Sequence, residues 1–156
     1  MEPLNFPPTA PFDVRRHEGR LVIRDEVRRK YVRLTPEEWV RQHLVRTLTE
    51  ALGYPIGLLA VEKKLDAVGG PRRADLVVWG RGAEGPHRPL LIAECKAPTV
   101  KLTQAVFDQV SRYNTVTRAP HLVVTNGRAH YCWTVDRAAG TVRFLDAIPP
   151  FEALTG

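Results

Sequence analysis

The sequence predicts an α/β protein in which a mixed central β-sheet is flanked by helices. Two stretches have the apolar period of helices, and six have the apolar runs or alternation typical of strands. Their order is helix, three strands, helix and three strands, which favours a sheet with helices on its faces. Residues 90–125 form a candidate βαβ unit, right-handed if its strands are parallel. At 156 residues, the chain is long enough for one domain with its own core.

The composition is that of a folded, basic protein. The chain is 44% hydrophobic and 26% charged, which excludes wholesale disorder. Its net charge of +6 favours a polyanionic partner such as nucleic acid. No apolar run approaches the ~20 residues of a membrane helix, and no signal-peptide pattern is present, so we expect no membrane contact and a cytoplasmic location. Cys95 and Cys132 have neither metal-ligand nor disulfide spacing.

The N-terminal part is predicted as an arm followed by a short hairpin. Residues 1–11 contain four prolines, which favours an extended, poorly ordered arm. We expect the domain itself over residues 12–148 and a short tail over residues 149–156. Residues 17–20 favour a hairpin turn. A basic cluster follows, which is either a solvated face or a phosphate-contacting patch: Arg24, Arg28, Arg29, Lys30 and Arg33.

The first long helix has clear start and stop signals. Thr35 suits the N-cap, Pro36 the first helical position and Glu38 the third, which predicts a capping box. An apolar stripe then continues to about residue 52, where Gly53 ends the helix.

The remaining elements are predicted from apolar runs and turn residues. A turn at residues 69–71 joins the first two strands, and Asn126-Gly127 favours a hairpin later in the chain. The second helix is expected over residues 101–116, with Gln109 in its apolar face, where an amide needs a polar partner. Strands are expected at residues 57–65, 73–79, 90–96, 121–125, 129–135 and 141–145.

Charged side chains end the apolar run at residues 90–96. Glu94 and Lys96 are two positions apart, so in a strand they share one face, and Asp75 lies on the preceding strand. Two carboxylates at strand ends can hold a hard cation such as Mg²⁺. A lysine beside them can orient or deprotonate water, or stabilise phosphoryl charge. These groups are what phosphodiester hydrolysis requires, and Gln109, on the second helix, could orient the site from across the core.

The order Asp75, Glu94-Cys95-Lys96, Gln109 and Tyr113 resembles the PD-(D/E)xK nuclease superfamily. More narrowly, the chain resembles the N-terminal nuclease domain of type I restriction enzyme R subunits over roughly residues 12–147. The segments that carry this resemblance are residues 35–42, 72–75, 93–98, 109–114 and 125–127. It implies a restriction-endonuclease-like fold. One departure is Ala74, where the family motif has proline before the aspartate.

The resemblance implies a magnesium-dependent deoxyribonuclease, with Mn²⁺ as a substitute metal and DNA as the partner. Asp75 and Glu94 would bind the metal beside the main-chain carbonyl of Cys95, and Lys96 would be the catalytic lysine. Three further positions would complete the catalytic set: Gln109, Tyr113 and Glu38. Four cations beside the motifs are candidate phosphate contacts, with solvated surface as the alternative: Arg72, Arg73, Lys101 and Arg112.

Each candidate residue also has a purely structural explanation. Glu94 and Lys96 can be an ordinary ion pair, and Asp75 can begin a strand after a turn. Gln109 and Tyr113 can be a hydrogen-bonded core pair, and the capping box alone accounts for Glu38.

The function therefore has alternatives. One is a non-catalytic module that keeps the nuclease fold and binds DNA or a protein partner. Another is a subunit that needs a specificity or motor subunit in trans. The sequence contains no P-loop motif and has no room for translocase domains, so we expect no ATP-driven translocation by this chain.

Overall fold

Two β-sheets and two long helices make up the fold in the computed structural model. It describes residues 2–67, 70–82 and 85–154, without the side chains of residues 63–72 and 81–87. The first three strands form an antiparallel sheet: β1 (Val14–His17), β2 (Arg20–Asp25) and β3 (Lys30–Arg33). The next six form the main sheet in chain order: β4 (Leu59–Ala67), β5 (Gly70–Gly82), β6 (Gly85–Cys95), β7 (His121–Thr125), β8 (His130–Asp136) and β9 (Thr141–Leu145).

The first helix begins where the sequence predicts. In α1 (Pro36–Arg46) the Thr35 hydroxyl accepts a hydrogen bond from the Glu38 backbone N–H at 3.0 Å. The helix continues into a π-helical turn (Thr47–Ala51), and a 3₁₀ turn (Ile56–Leu58) precedes β4. The second half of the predicted capping box does not form, because the Glu38 carboxylate is bound by arginine side chains instead. The second long helix is α2 (Gln104–Thr117).

The main sheet is mixed, as predicted. Neighbouring strands pair antiparallel except β6 and β7, which are parallel in a register that pairs Leu91 with His121 and Cys95 with Thr125. Helix α2 connects these two strands, so the βαβ crossover predicted from the sequence is present. This crossover brings the C-terminal ends of β6 and β7 to the same edge of the sheet.

Helices α1 and α2 pack on opposite faces of the main sheet. Val40 and Leu44 of α1 lie in one core with Leu91 and Ala93 of β6, and Leu48 of the π-helical turn packs in the same core. The other core contains Val106, Val110 and Tyr113 of α2 with Ile92 of β6 and Leu122 of β7. Because β6 is covered on both faces, its residues form a continuous apolar run rather than an alternating one. The run therefore marks the centre of the fold.

Several elements differ from the sequence-based expectations. Strand β3 was not predicted, and β5 and β6 are much longer than the predicted strands because residues in polar, glycine-containing stretches continue the ladder. The predicted turn at residues 69–71 lies partly outside the described residues.

The N-terminal arm and the segment after Pro149 are both packed against the rest of the fold. In the N-terminal arm, Leu4 and Phe6 contact the α1 core, and the Asn5 N–H donates to the Gly127 carbonyl at 2.7 Å. The arm has the extended form that its prolines predict, but apolar burial holds it in place, which the sequence analysis did not expect. After Pro149, a short helix α3 (Phe151–Leu154) places Phe151 against the Tyr54 ring.

No helix in the described part of the chain has the length and apolar character of a membrane span. Both cysteines are buried free thiols.

Candidate active site

Strands β5 and β6 bring Asp75 and Glu94 to adjacent positions. Leu76 pairs with Ala93, and Asp75 and Glu94 are the next residues on the two strands. One oxygen of the Asp75 carboxylate, Oδ2, accepts a hydrogen bond from the Cys95 N–H at 2.7 Å. The Lys96 ammonium lies 3.3 Å from Oε1 of Glu94. The structure therefore assembles the three residues that the sequence places in one motif.

The two carboxylates are short of partners for their negative charge. Oε2 of Glu94 is buried and accepts no hydrogen bond from the described residues. Burial and the neighbouring Asp75 charge raise the pKa of Glu94 to about 8, against the opposing effect of Lys96. Burial also raises the pKa of Asp75, although the Cys95 N–H and Arg41 oppose the shift. A cation placed against this pair would remove much of the electrostatic cost.

Lys96 is a charged donor rather than a neutral amine. Partial burial of the ammonium disfavours the charge, but Glu94 and Asp75 more than offset that effect, and the pKa of Lys96 is raised. At neutral pH the side chain therefore carries a proton and can stabilise nearby negative charge.

Glu38 lies in a separate, saturated cluster beside this pair. Its carboxylate accepts hydrogen bonds from Nη2 of Arg28 at 2.8 Å, from Nε of Arg41 at 3.0 Å and from the amide of Gln42 at 3.0 Å. Burial alone would raise the pKa of Glu38, but these donors lower it below its ordinary value. This arrangement favours a structural role, in contrast to the catalytic role expected from the resemblance.

Arg41 connects the two clusters. Its guanidinium is buried, with Nη1 3.6 Å from Oδ1 of Asp75 and Nη2 3.4 Å from Oε1 of Glu62. Glu62 has a φ of +54° and lies on β4 between Val61, which pairs with Leu76, and residue 63, which pairs with Ala74. This is a strained backbone position of the kind found at functional sites. The sequence analysis gave Arg41 no role, although its i+3 spacing from Glu38 was visible.

Glu37 is an acidic residue of α1 that the sequence analysis overlooked. It is exposed and lines a cleft of about 520 Å³ together with Arg33, Arg41 and Ala97. Partial burial and the charge of Asp75 raise the pKa of Glu37. Its charge in turn raises the pKa values of Glu94 and Lys96. Glu37 therefore belongs electrostatically to the Asp75–Glu94 pair, whereas Glu38 does not.

The donor set fits a magnesium ion, with protein ligands on one side only. The described residues contain no group of three His, Cys, Asp or Glu side chains placed to hold a metal. Mg²⁺ commonly binds through one or two carboxylates and keeps several waters, which is what Asp75 and Glu94 offer. The observation that argues for a cation ligand here is the buried Oε2 of Glu94, which accepts no hydrogen bond from the described residues.

The family comparison matches most of the chain. Residues 36–149 match the model of the type I restriction enzyme R protein N terminus. The chain belongs to this family. The resemblance to the N-terminal domain of type I restriction enzyme R subunits is thus confirmed, and the match contains every proposed catalytic position.

Structural comparison supports the same relationship at the level of the fold. A fragment of an HsdR subunit of a type I restriction enzyme from Vibrio vulnificus YJ016 superposes with a TM-score of 0.55 at 18% sequence identity. The alignment covers 78% of this chain and 25% of that one. The chain therefore spans about a quarter of the length of this solved relative. Among curated proteins, none matches the sequence.

Within this R-protein N-terminal domain, Gln109 and Tyr113 bind each other. The Gln109 amide donates to the Tyr113 hydroxyl at 2.8 Å, and Tyr113 is buried in the α2 core. Tyr113 is therefore the polar partner that the sequence analysis predicted Gln109 to need. Their catalytic role stays a prediction.

Residues 125–127 brace the loop that follows Lys96. The Lys96 N–H donates to the Thr125 carbonyl at 2.8 Å, and the Asn126 side-chain amide donates to the Val100 carbonyl at 2.8 Å. Gly127 has a φ of +85°, a conformation that favours glycine. This segment of the motif therefore positions the lysine through the backbone.

Three of the four predicted phosphate contacts have described side chains, and all three are at the surface. Arg73, Lys101 and Arg112 are exposed, and the side chain of Arg72 lies outside the described residues. Their role in DNA binding stays a prediction.

Proposed function

We propose that this domain is a Mg²⁺-dependent DNA endonuclease that hydrolyses phosphodiester bonds, with Mn²⁺ as a substitute metal. The observation that carries the proposal is the buried Oε2 of Glu94, which has no partner among the described residues while Asp75 lies alongside and Lys96 is 3.3 Å from Oε1. A buried carboxylate pair is costly unless it binds something positive. Membership of the R-protein N-terminal family supports the nuclease assignment.

The metal would be held by Asp75, Glu94 and the main-chain carbonyl of Cys95. Bound there, Mg²⁺ would supply Lewis-acid stabilisation of the charge that develops on the phosphoryl group. The Cys95 N–H fixes one Asp75 oxygen at 2.7 Å, and Arg41 contacts the other, so the carboxylate is oriented before any ligand arrives.

Lys96 contributes charge to the reaction. Because its ammonium stays protonated beside Glu94, we assign it to orienting the attacking water and stabilising negative charge on the phosphate oxygens. Gln109, held by Tyr113, would orient the site from α2. Glu37, on the cleft wall, would favour a cation at the same place through its charge.

The test is cleavage of supercoiled and linear DNA by the purified chain in Mg²⁺, in Mn²⁺ and in EDTA. We expect cleavage only with a divalent cation, and its loss in Lys96→Ala. Arg143→Ala is a matched control, since it removes an exposed cation on β9 that is not one of the candidate contacts. No cleavage with any metal, or unchanged cleavage in Lys96→Ala, would contradict the proposal.

A second candidate is a subunit that cleaves only with a partner in trans. The observation that favours it is the length difference, because the chain aligns with only 25% of the solved HsdR fragment. Under this alternative, the purified chain binds DNA with strong salt dependence and does not cut it, and added specificity or motor subunits restore cleavage. DNA binding that no such addition converts to cleavage would favour a non-catalytic module.

A further inference from the structure

The three-stranded sheet concentrates the positive charge of the chain. Residues 14–33 contain eight Lys and Arg against three Asp and Glu, a net charge of +5, whereas the whole chain has +6. This sheet lies before residue 36, where the family match begins. Neither the family match nor the carboxylate site therefore accounts for its charge.

Strand register sorts these residues onto two faces. Ile23 pairs with both Val14 and Val32, and this face turns inward, since Ile23 and Asp25 are fully buried. The opposite side, here called the basic face, follows from the pairs of Arg15 with Val22, His17 with Arg20 and Arg24 with Tyr31. Its members are Arg15, His17, Arg20, Val22, Arg24, Tyr31 and Arg33.

The basic face is arranged as a surface for a polyanion. Tyr31 lies on the edge strand β3, with the guanidiniums of Arg15 and Arg24 4.9 Å and 5.7 Å from its ring centroid. Arg20 and Arg33 are exposed and line a shallow cleft of about 440 Å³ with His17. Two of the arginines are ion-paired, Arg15 with Asp13 at 3.0 Å and Arg24 with Glu26 at 3.9 Å. Arg20 and Arg33 have no ion-pair partner among the described residues, and a bound chain of phosphates would supply one.

The basic face is also tied to the carboxylate site. Arg33 lines both its own cleft and the cleft of about 520 Å³ that contains Glu37 and Arg41. In the turn between β2 and β3, Arg28 binds the Asp25 carboxylate and donates to Glu38 at 2.8 Å, which anchors the sheet to α1. A ligand lying along the basic face would thus reach this cleft, where Arg41 lies 3.6 Å from the Asp75 carboxylate.

We infer that the basic face binds the phosphate backbone of double-stranded DNA, independently of sequence, and presents the duplex to the Asp75–Glu94 site. This inference rests on the proposed function for the identity of the polyanion. It assigns DNA contact to Arg20, Arg24 and Arg33, in addition to the cations beside the catalytic motifs.

The test measures binding of a labelled duplex in EDTA, so that cleavage plays no part. In the variant Arg20→Gln, Arg24→Gln, Arg33→Gln, we expect affinity to fall about tenfold or more, and the slope of log K against log salt to become shallower by ~2–3. The matched control is Arg88→Gln, Arg118→Gln, Arg143→Gln, which removes three exposed arginines elsewhere. It should lose less than about threefold.

Replacement of the same three residues by lysine separates charge from structure. Phosphate contacts need a positive charge, so the lysine variant should keep affinity within about threefold of the wild type. Wild-type affinity in the glutamine variant, equal losses in the control, or a lysine variant as weak as the glutamine one would overturn the inference.

Cleavage measured on the same wild-type preparation separates the two proposals. If the wild type cuts DNA and the glutamine variant binds normally, the inference that the basic face binds DNA is wrong, and the nuclease assignment stands. If the wild type never cuts DNA but its DNA binding depends on these arginines, the nuclease assignment is wrong and the inference that the basic face binds DNA is supported.

Discussion

Glu38 and Glu94 are both buried carboxylates, but their surroundings are opposite. Glu38 accepts hydrogen bonds from Arg28, Arg41 and Gln42, and its pKa is lowered. Glu94 has a single ion pair with Lys96, one oxygen without a partner among the described residues, and a pKa raised to about 8. The saturated carboxylate stabilises the fold, whereas the unsaturated one is available to a ligand. Burial alone would not have told them apart.

The largest effect is expected on catalysis, from Asp75→Asn. Removing one of the two charges at the unsaturated site should lower cleavage by at least ~10²–10³-fold, the size typical for loss of one electrostatic contact to a transition state. The amide can still accept from the Cys95 N–H, so unfolding free energy should change by no more than about 1 kcal/mol. Single-turnover cleavage and denaturant unfolding test both parts. Retained activity would place the site elsewhere.

Glu38→Ala should act on stability instead. It leaves the guanidinium of Arg41 buried without its main partner, and removing one side of a buried ion pair costs ~3–5 kcal/mol. Denaturant unfolding measures the change. Glu37→Ala is the matched control, since the adjacent exposed side chain should cost no more than about 0.5 kcal/mol. Equal stability of the two variants would mean that the Glu38 cluster is not structural.

The two carboxylates should also give opposite pH dependence. The pKa of Glu94 is raised from 4.5 to about 8, so between these values the native state holds a proton that the unfolded chain has lost. Without divalent cations, stability should fall as pH rises through this window. For Glu38, whose pKa is lowered, stability should fall as pH drops below about 4.5.

Urea unfolding, measured across pH in EDTA, tests the expected pH dependence of both carboxylates. In Glu94→Gln, the loss of unfolding free energy with rising pH should become smaller, and the loss at acidic pH should be unchanged. A wild-type unfolding free energy that rises from pH 5 to 8, with the same behaviour in the variant, would contradict the raised pKa of Glu94.

The smallest effect is expected from Tyr113→Phe. This change removes the hydroxyl that accepts from the Gln109 amide and should cost ~1 kcal/mol of stability. If Gln109 also orients the site, cleavage should fall further than stability explains. A loss of stability without a loss of cleavage rate at saturating DNA would assign the pair to the core alone.

Local signals predicted much of the fold. The N-cap at Thr35 and the strands at residues 121–125 and 141–145 follow from capping chemistry and apolar runs, and the structure places them there. The full length of β5 and β6 could not be predicted, because a long hairpin continues through polar residues that pair with each other.

Prediction of the candidate site succeeded for residues close in sequence and failed for long-range partners. Glu94 and Lys96 are two positions apart, so strand periodicity alone places them together. The partner Arg28 comes from a turn ten residues before Glu38, and Glu62 reaches Arg41 from another strand. Without these contacts, the sequence could not show that Glu38 is saturated and that the neighbouring Glu37 faces the cleft.

Direct titration with Mn²⁺, followed by electron paramagnetic resonance, tests the central claim without relying on activity. The account predicts a binding site in the wild type that is lost in the double variant Asp75→Asn, Glu94→Gln and kept in Glu38→Gln. Mn²⁺ binding that survives in the double variant, or that is lost only in Glu38→Gln, would show that the unsaturated carboxylate pair is not the metal site.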